Sequence, residues 1–396
     1  MEWQVAVVTY NVGLQTCTWE NVEKLCEGFL DQKSSLVAIG LQEVPHLEAA
    51  GVKGSSWTSL ITEWMILRGQ MTMLTKTYQA TNVLMVFIQH NLVLYINSIS
   101  YRYNRNTLKG LTGHKGSISI RLTLNNDLSI VFVNSHLCHG VENNLRRIEQ
   151  CISNKYCCFN DYKSIFWFGD LNFRLNGDER KVEKLINAKA FPELLENFDQ
   201  LNVARRQKNL LEGFSEPEIH FQPSYKYTIG SSNFNWSRLP AWCDRILHKG
   251  SNLSPISYSM NESVKCSDHK PVASIYRMNI GSIGPYHCNV LFEHIRYWYS
   301  NIPFISRMEY LNDFWKLHGS YSDWIGVYPS DFQNIEAPIK WVWAYTCFEQ
   351  CIQQKKIYVC EFSNLPEGTY RLGYFSSSRN CLIGVSKSFT INSIQK

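Results

Sequence analysis

Short apolar runs recur through the N-terminal part of the chain, and polar clusters follow most of them. Runs of this length with such boundaries predict buried strands. Apolar spacing predicts helices at Trp19–Leu30 and at Glu179–Ala188, the second after the turn-forming Asn176-Gly177-Asp178. This alternation predicts an α/β fold with a strand-rich core flanked by helices. The predicted strands are Val5–Tyr10, Leu36–Leu41, Asn82–Ile88, Ser117–Leu122, Leu128–Val133, Ile165–Phe168 and Pro271–Tyr276.

The pattern changes near residue 280, where Gly281, Gly284 and Pro285 interrupt it. Beyond this point the chain becomes aromatic and alternates with period two, as in Trp341–Tyr345 and Tyr370–Phe375. Such alternation in short runs predicts a small antiparallel sandwich. We therefore predict a catalytic α/β domain over residues 1–279, a linker over 280–287 and an all-β domain over 288–396.

Composition narrows the class of protein. The 396 residues are 44% hydrophobic, enough for one large core and a smaller one. A net charge of only +5 argues against a nucleic-acid binder. The 13 cysteines include no CxxC pair, and the chain shows no secretory signal, prenylation box or membrane-length apolar stretch. We therefore expect reduced thiols and a cytoplasmic location.

Polar clusters end several of the apolar runs, and the ends of buried strands project from a common rim. Carboxylates, carboxamides and imidazoles dominate these clusters, a set suited to one divalent cation and one phosphate. This predicts one catalytic site. The clusters are Thr9-Tyr10-Asn11, Leu41-Gln42-Glu43-Val44, Asn134-Ser135-His136-Leu137, Gly169-Asp170-Leu171-Asn172, Pro240-Ala241-Trp242-Cys243-Asp244-Arg245 and Ser267-Asp268-His269-Lys270-Pro271.

A magnesium ion is the cofactor that these clusters favour, because Mg²⁺ prefers oxygen ligands and keeps several waters. We predict Glu43 and Asn11 as ligands, with Asp268 in the outer shell. A zinc site at His136 and His139 is an alternative, but no further Cys/His pair accompanies them.

Water activation is predicted at Asp170 and Asn172, which would share one side of a continuing strand. Asp170 would deprotonate the water and Asn172 would hold it. His269 and His136 are predicted to donate to phosphoryl oxygens, and Asp244 to fix the tautomer and charge of His269.

Several cationic and aromatic residues lie near the catalytic clusters in sequence. Several cations around one cleft predict a substrate with several phosphates. The candidate substrate-binding residues are Lys115, Arg174, Tyr225, Lys226 and Arg238.

Together the six clusters resemble the inositol polyphosphate 5-phosphatase family, within the DNase I-like endonuclease/exonuclease/phosphatase superfamily. The segment from Asp199-Gln200-Leu201 to Gln222-Pro223-Ser224-Tyr225-Lys226-Tyr227 resembles this family rather than its nuclease relatives. The resemblance implies a four-layered α/β/β/α sandwich and magnesium-dependent removal of the 5-phosphate from phosphoinositides or soluble inositol phosphates. It implies the metal, water-activating and phosphate-contacting roles given above, with 4-phosphate contacts at Tyr225, Lys226 and Arg238.

The C-terminal part resembles a SKICH domain, at Ser322–Tyr328 and from Leu372-Gly373-Tyr374-Phe375 to Ile383–Ser386. This resemblance implies contacts with protein partners. Without proline-rich flanks, the chain is most similar to the skeletal muscle and kidney enriched branch of the family. We expect peripheral recruitment to the plasma membrane or endoplasmic reticulum. Segment 57–67 could enter a membrane, although such patches are more often core.

Three positions depart from the family pattern. Trp236 stands where relatives carry a lysine, His114 replaces an asparagine, and Gly140 falls where a second histidine often follows. These changes are expected to retune the preference for ring phosphates. Two other functions remain open: a phosphodiesterase or nuclease of the same superfamily, because fold does not settle function, and an adaptor that acts mainly through its C-terminal domain.

Overall fold

The computed structural model describes residues 1–30, 34–50, 56–107, 112–282, 289–352 and 355–393. Residues 283–288, which include most of the predicted linker, lie outside the described residues. The predicted division into domains therefore stays a prediction at this boundary.

Strands dominate the N-terminal part, and each predicted strand overlaps an observed one. The strands are β1 (Glu2–Asn11), β2 (Leu36–Gln42), β3 (Met71–Gln79), β4 (Asn82–Gln89), β5 (Ile96–Thr107), β6 (Thr112–Leu124), β7 (Ser129–His136), β8 (Ser164–Asp170), β9 (Asp244–Lys249), β10 (Leu253–Met260) and β11 (Val272–Asn279).

Helices fill the connections, including the two that the sequence predicted. The second of these starts at its expected cap, because the Asp178 side chain accepts a hydrogen bond from the Lys181 N–H at 3.0 Å. The helices are α1 (Trp19–Glu27), α2 (His46–Ala49), α3 (Trp57–Leu67), α4 (Asn144–Cys157), α5 (Glu179–Asn187), α6 (Phe191–Asn197) and α7 (Gln200–Lys208).

Two sheets pack face to face between helices. The first has the order β10-β11-β1-β2-β4-β3 and the second β5-β6-β7-β8-β9. Along β1, Val5 and Val7 join the core between the sheets, whereas Ala6 and Val8 join the core beneath α1 and α3. Alternation with period two thus buries both faces of the strand. The other sheet packs against α4 and α7 in the same way, which confirms the predicted α/β/β/α sandwich.

Segment 57–67 forms α3 and contributes to this core. Trp57 and Ile61 are fully buried, and Trp64 is nearly so. The structure therefore supports a packing role for the segment. No helix among the described residues has both the length and the apolar character needed to cross a membrane.

The C-terminal part is rich in strands, as predicted. Its elements are β12 (Val290–Phe292), β13 (Tyr297–Tyr299), β14 (Phe304–Tyr310), α8 (Phe314–His318), β15 (Trp324–Pro329), β16 (Lys340–Trp343), β17 (Phe348–Ile352), β18 (Lys355–Phe362), β19 (Gly368–Ser376), β20 (Cys381–Val385) and β21 (Phe389–Asn392). The strands form sheets with the orders β12-β14-β18-β17 and β13-β21-β19-β15-β16. Most strand pairs are antiparallel, but β13 and β21 are parallel.

The C-terminal part packs directly on β3 and β5 of the α/β sandwich. The Ile99 N–H donates to the Arg379 carbonyl at 2.8 Å, and the Met73 N–H donates to the Gln333 carbonyl at 2.9 Å. The Arg379 guanidinium also donates to Asn97 Oδ1 at 2.8 Å. Buried side chains of both parts form one continuous hydrophobic cluster. The two parts therefore share a core.

Candidate active site

The two sheets meet at one edge, where four strands end in polar residues. In the first sheet Asn11 of β1 pairs with Gln42 of β2, and in the second His136 of β7 pairs with Asp170 of β8. Asn11 Nδ2 donates to Asp170 Oδ2 at 3.0 Å, across the gap between the sheets. A polar site therefore joins the two sheets at this edge.

A small residue permits this close approach. A Cβ added at Gly40 would lie 2.7 Å from side-chain atoms of both Asn134 and Phe168, so a larger residue would push the sheets apart. Gln42 Nε2 fills the space beside Gly40 and donates to Asn134 Oδ1 at 2.7 Å.

Asp170 lies at the centre of the site and is almost fully buried. Its Oδ2 accepts from Asn11 and, at 2.8 Å, from Asn172 Nδ2, while Oδ1 accepts from the Asn172 N–H at 3.0 Å. Burial alone would raise the pKa of Asp170, but the contact with His136 and the charge of His269 hold it well below its usual range. Asp170 is therefore a firmly held carboxylate.

Asn172 reaches Asp170 by a route that the sequence did not predict. The strand was expected to continue, but β8 ends at Asp170 and Asn172 adopts a left-handed φ of 56°. This turn folds the Asn172 side chain back onto Asp170. The predicted proximity of the two residues is therefore present, although the backbone reason given for it was wrong.

His269 and Asp244 form a buried pair. His269 Nδ1 lies 2.9 Å from Asp244 Oδ2, which also accepts from the Ser224 hydroxyl at 2.7 Å. Burial opposes the charged imidazole, but the Asp244 carboxylate outweighs it and raises the pKa of His269 to about 9. Ligand atoms of Asp170, Asp244 and His269 lie within 4.8 Å of one another. His269 therefore brings a positive charge close to Asp170.

His136 lies on the other side of Asp170, with its Nε2 3.3 Å from Asp170 Oδ2. Its Nδ1 lies 3.1 Å from Asn82 Oδ1, an acceptor, so Nδ1 carries a proton. Burial and the adjacent Lys115 ammonium lower the pKa of His136. The same Nε2 contacts the Lys115 ammonium. His136 therefore links Lys115 to Asp170, and its predicted role as a phosphate donor stays a prediction.

Oxygen atoms suited to a hard cation lie beside this group. The Glu43 side chain is 36% exposed, and its Oε1 lies 3.5 Å from His136 Nε2 and 4.0 Å from Lys115 Nζ. Asn11 Oδ1 accepts one hydrogen bond, from the Gly13 N–H at 3.0 Å, and keeps a second lone pair. Glu43 and Asn11 therefore fit a divalent cation. Asp268 instead lies 3.9 Å from Lys226 Nζ, and its predicted outer-shell role stays a prediction.

A chain of aromatic and cationic groups leads outward from His269. The Tyr225 ring lies 4.5 Å from the His269 ring, the Arg174 guanidinium 4.4 Å above the Tyr225 ring, and Arg238 donates to the Tyr225 hydroxyl at 3.1 Å. The two arginines line a cleft of about 430 Å³. Two of the predicted substrate-binding residues, Arg174 and Arg238, therefore line one cleft, and Tyr225 contacts both of them. The cleft residues are His139, Gly140, Val141, Glu142, Arg174, Leu175, Arg238 and Leu239.

One of the three departures from the family pattern lies at the mouth of this cleft. Gly140 lines the cleft, and the exposed His114 ring lies 5.9 Å from the His46 ring. Trp236 instead packs edge-on against Phe234 at 6.0 Å. Within the described residues, the candidate metal cluster does not include His136 and His139, so the zinc alternative gains no support.

Comparison with known proteins identifies the family. A family model described as endonuclease/exonuclease/phosphatase family 2 matches residues 8–275, which is more than half of the chain. The chain belongs to this family. A SKICH domain model matches residues 290–391 of this family member, which confirms the resemblance of the C-terminal part.

Among relatives of this endonuclease/exonuclease/phosphatase family member, the polyphosphatidylinositol phosphatase INP53 of Saccharomyces cerevisiae is 32% identical over 63% of the chain and 24% of the yeast protein. The inositol polyphosphate 5-phosphatase K of Mus musculus is 27% identical over 98% of the chain and 89% of the mouse protein. The first relatives are much longer, and the chain spans 24–42% of their length.

A solved structure gives the same fold. It is the inositol polyphosphate 5-phosphatase domain of SPsynaptojanin in complex with inositol (1,4)-bisphosphate and a calcium ion. It is 26% identical, with a TM-score of 0.61, and the match covers 70% of this chain and 84% of that one. The resemblance to 5-phosphatases is therefore confirmed.

Sequence reasoning missed several supporting residues. Asn82 faces His136, Gln42 and Asn134 connect the sheets, and Ser224 binds Asp244. Gln42 and Asn134 belong to two of the polar clusters identified in the sequence, so their position at the strand ends was a signal for them. Asn82 gave no signal, because a polar residue that opens a strand usually belongs to the turn before it.

Proposed function

We propose that the protein is a magnesium-dependent phosphatase that removes the 5-phosphate from phosphoinositides such as phosphatidylinositol 4,5-bisphosphate and 3,4,5-trisphosphate, or from soluble inositol polyphosphates. One observation carries the proposal. The buried Asp170 carboxylate lies between a charged His269–Asp244 pair and the Glu43–Asn11 oxygens, beside a cleft that two arginines line. The names of the relatives support the same reaction.

Asp170 positions the attacking water in this mechanism. Its Oδ1 accepts one hydrogen bond from the protein and keeps a further acceptor site for a water proton. Asn172 and Asn11 fix the carboxylate in place. A bound divalent cation would supply charge neutralisation at the phosphoryl oxygens and lower the pKa of the water.

His269 and Lys115 neutralise charge as the leaving oxygen departs. His269 keeps its proton at neutral pH because Asp244 raises its pKa to about 9. Lys115 contacts His136 and lies 4.0 Å from Glu43, on the opposite side of Asp170. Donors placed where charge develops provide much of the catalysis of phosphoryl transfer.

Arg174, Arg238 and Tyr225 are proposed to bind the phosphate next to the one that is removed, and Lys226 lies close to the same ring. A guanidinium held flat against an aromatic ring is pre-organised for a phosphate.

Contact with a membrane surface is also proposed. Exposed apolar side chains at Leu14, Leu47, Val141 and Ile229 stand on different segments next to the site residues. The Leu14 N–H, for example, donates to the Glu43 carbonyl at 2.8 Å. Such side chains can enter a lipid headgroup region while the cleft faces the bilayer. A cytoplasmic location with recruitment to the plasma membrane or endoplasmic reticulum, and protein partners for the SKICH-like part, remain proposals.

Product analysis tests the function. Vesicles that contain phosphatidylinositol 4,5-bisphosphate should yield inorganic phosphate and phosphatidylinositol 4-phosphate in the presence of Mg²⁺, and a chelator should stop the reaction. Phosphatidylinositol 5-phosphate as the product would contradict the assigned position. Cleavage of DNA with no inositide turnover would favour the nuclease alternative.

A further inference from the structure

A buried glutamine beneath the cleft uses all of its hydrogen-bonding capacity. Gln200, the first residue of α7, is 1% exposed. Its Oε1 accepts from Arg147 Nη2 at 2.5 Å and from the Arg174 N–H at 3.0 Å, and its Nε2 donates to Asn176 Oδ1 at 2.7 Å and to the Val141 carbonyl at 3.1 Å. A side-chain amide has two donor hydrogens and two acceptor lone pairs, so no capacity is left over.

These four contacts join segments that are distant in sequence. Val141 follows β7, whereas Arg174 and Asn176 follow β8. Val141 and Arg174 line the cleft, but Gln200 does not. Gln200 therefore acts on the cleft through the residues that it holds. If its contacts were lost, the two walls could move independently.

Arg147 adds an unusual charge to this support. It is fully buried, and its Nη1 donates to the Cys138 carbonyl at 2.9 Å and the Gly140 carbonyl at 2.6 Å. Buried charges are usually paired with an opposite charge, but the hydrogen bonds of Arg147 within the described residues go to carbonyl oxygens. The Gln200 carbonyl and two backbone carbonyls take that place.

We propose that Gln200 is a positioning residue that holds the cleft in the shape needed to bind the second phosphate of the substrate, next to the phosphate that is removed. This inference rests on the proposed function. Gln200 would then set the preference for substrates that carry both phosphates, without contact with either one.

Gln200→Glu tests the proposal with little change in shape. The carboxylate can still accept from Arg147 and Arg174, but it places an oxygen opposite the Val141 carbonyl, which can only accept. Gln207→Glu is the matched control, because Gln207 lies on the same helix and is exposed. Both variants add the same negative charge, so a difference between them comes from the buried position of Gln200 and not from the charge alone.

Two inositol phosphates serve as probes, one with phosphates at positions 4 and 5 and one with the 5-phosphate but no 4-phosphate. Gln200→Glu should raise KM for the first about tenfold, the equivalent of about 1.4 kcal/mol, with kcat nearly unchanged and the ratio of kcat/KM between the probes reduced by the same factor. Gln207→Glu should match the wild type. Equal losses on both probes, or no loss, would overturn the proposal.

A binding measurement separates this proposal from the proposed function. Inositol 1,4-bisphosphate should bind about tenfold more weakly to Gln200→Glu than to Gln207→Glu, whether or not the wild type releases phosphate. If the wild type releases no phosphate but the two variants still differ in binding, the proposed function is overturned and the positioning role of Gln200 stands. Asn176→Ala, at an exposed position, removes one contact and should shift the ratio in the same direction by a smaller factor. An unchanged ratio in whichever variant folds would overturn the role.

Discussion

His269 Nδ1 lies 2.9 Å from Asp244 Oδ2 in the protein interior, and this contact sets the charge of the site. The carboxylate raises the pKa of His269 to about 9, from an ordinary value of about 6.5. His269 is therefore fully protonated below a pH of about 6.5, and it loses its proton as the pH rises through about 9. At neutral pH His269 is a cation.

The pH dependence of kcat/KM follows from this pair. Because His269 must be protonated, wild-type activity should fall as the pH rises through about 9. Asp244→Asn should move this alkaline limb toward lower pH, since the stabilising charge is gone. A profile of kcat/KM for both proteins checks the shift. An alkaline limb at the same pH in both would contradict the assigned role of Asp244.

The metal requirement should depend on Glu43. Glu43→Gln keeps the size of the side chain but removes the charge that holds a hard cation, so half-maximal activity should require about 10–100 times more Mg²⁺. A magnesium titration of phosphate release measures this. Glu20→Gln, at an exposed helix position, is the control and should not change the titration. Equal magnesium requirements in all three proteins would remove Glu43 from the metal site.

Membrane contact should depend on exposed apolar side chains near the mouth. Leu47 is 68% exposed and follows Glu43 closely in sequence. Leu47→Glu should reduce binding to vesicles that contain phosphatidylinositol 4,5-bisphosphate and leave turnover of a soluble inositol phosphate unchanged. Leu317→Glu, on α8 in the C-terminal part, is the control with similar exposure, 65%. Equal vesicle binding by the two variants would argue against the proposed orientation.

The C-terminal part should stabilise the sandwich on which it packs. Its carbonyl groups accept hydrogen bonds from the Met73 and Ile99 N–H groups, and its Phe332 ring lies 4.6 Å from the His90 ring. A chain that ends at residue 282 exposes this shared core, so its unfolding temperature should fall by at least about 5 °C. Thermal unfolding of both proteins measures the difference. An unchanged unfolding temperature would show that the two parts are energetically independent.

Much of the fold could be predicted from the sequence because its signals are local. Val5, Ala6, Val7 and Val8 form a continuous apolar run, which indicates a strand buried on both faces. The shared core with the C-terminal part could not be predicted, because it depends on how loops such as the one at Arg379 meet β5. Contacts of that kind leave no periodic pattern in a sequence.

The site was predictable to a similar extent. Clusters at strand ends placed Asp170, Glu43 and His269 near one another, and the structure brings them together. The turn at Asn172 and the role of Gln200 could not be predicted, because both depend on tertiary contacts rather than on residue type.

The most direct test of the central claim compares Asp170→Asn with Asp161→Asn in a phosphate-release assay. Asp161 is an exposed aspartate that pairs with Arg121, so its substitution controls for the chemical change alone. With phosphatidylinositol 4,5-bisphosphate vesicles and Mg²⁺, we predict that Asp170→Asn loses activity about 10²–10⁴-fold and stays folded, whereas Asp161→Asn matches the wild type. Near-wild-type turnover by a folded Asp170→Asn protein would contradict the account.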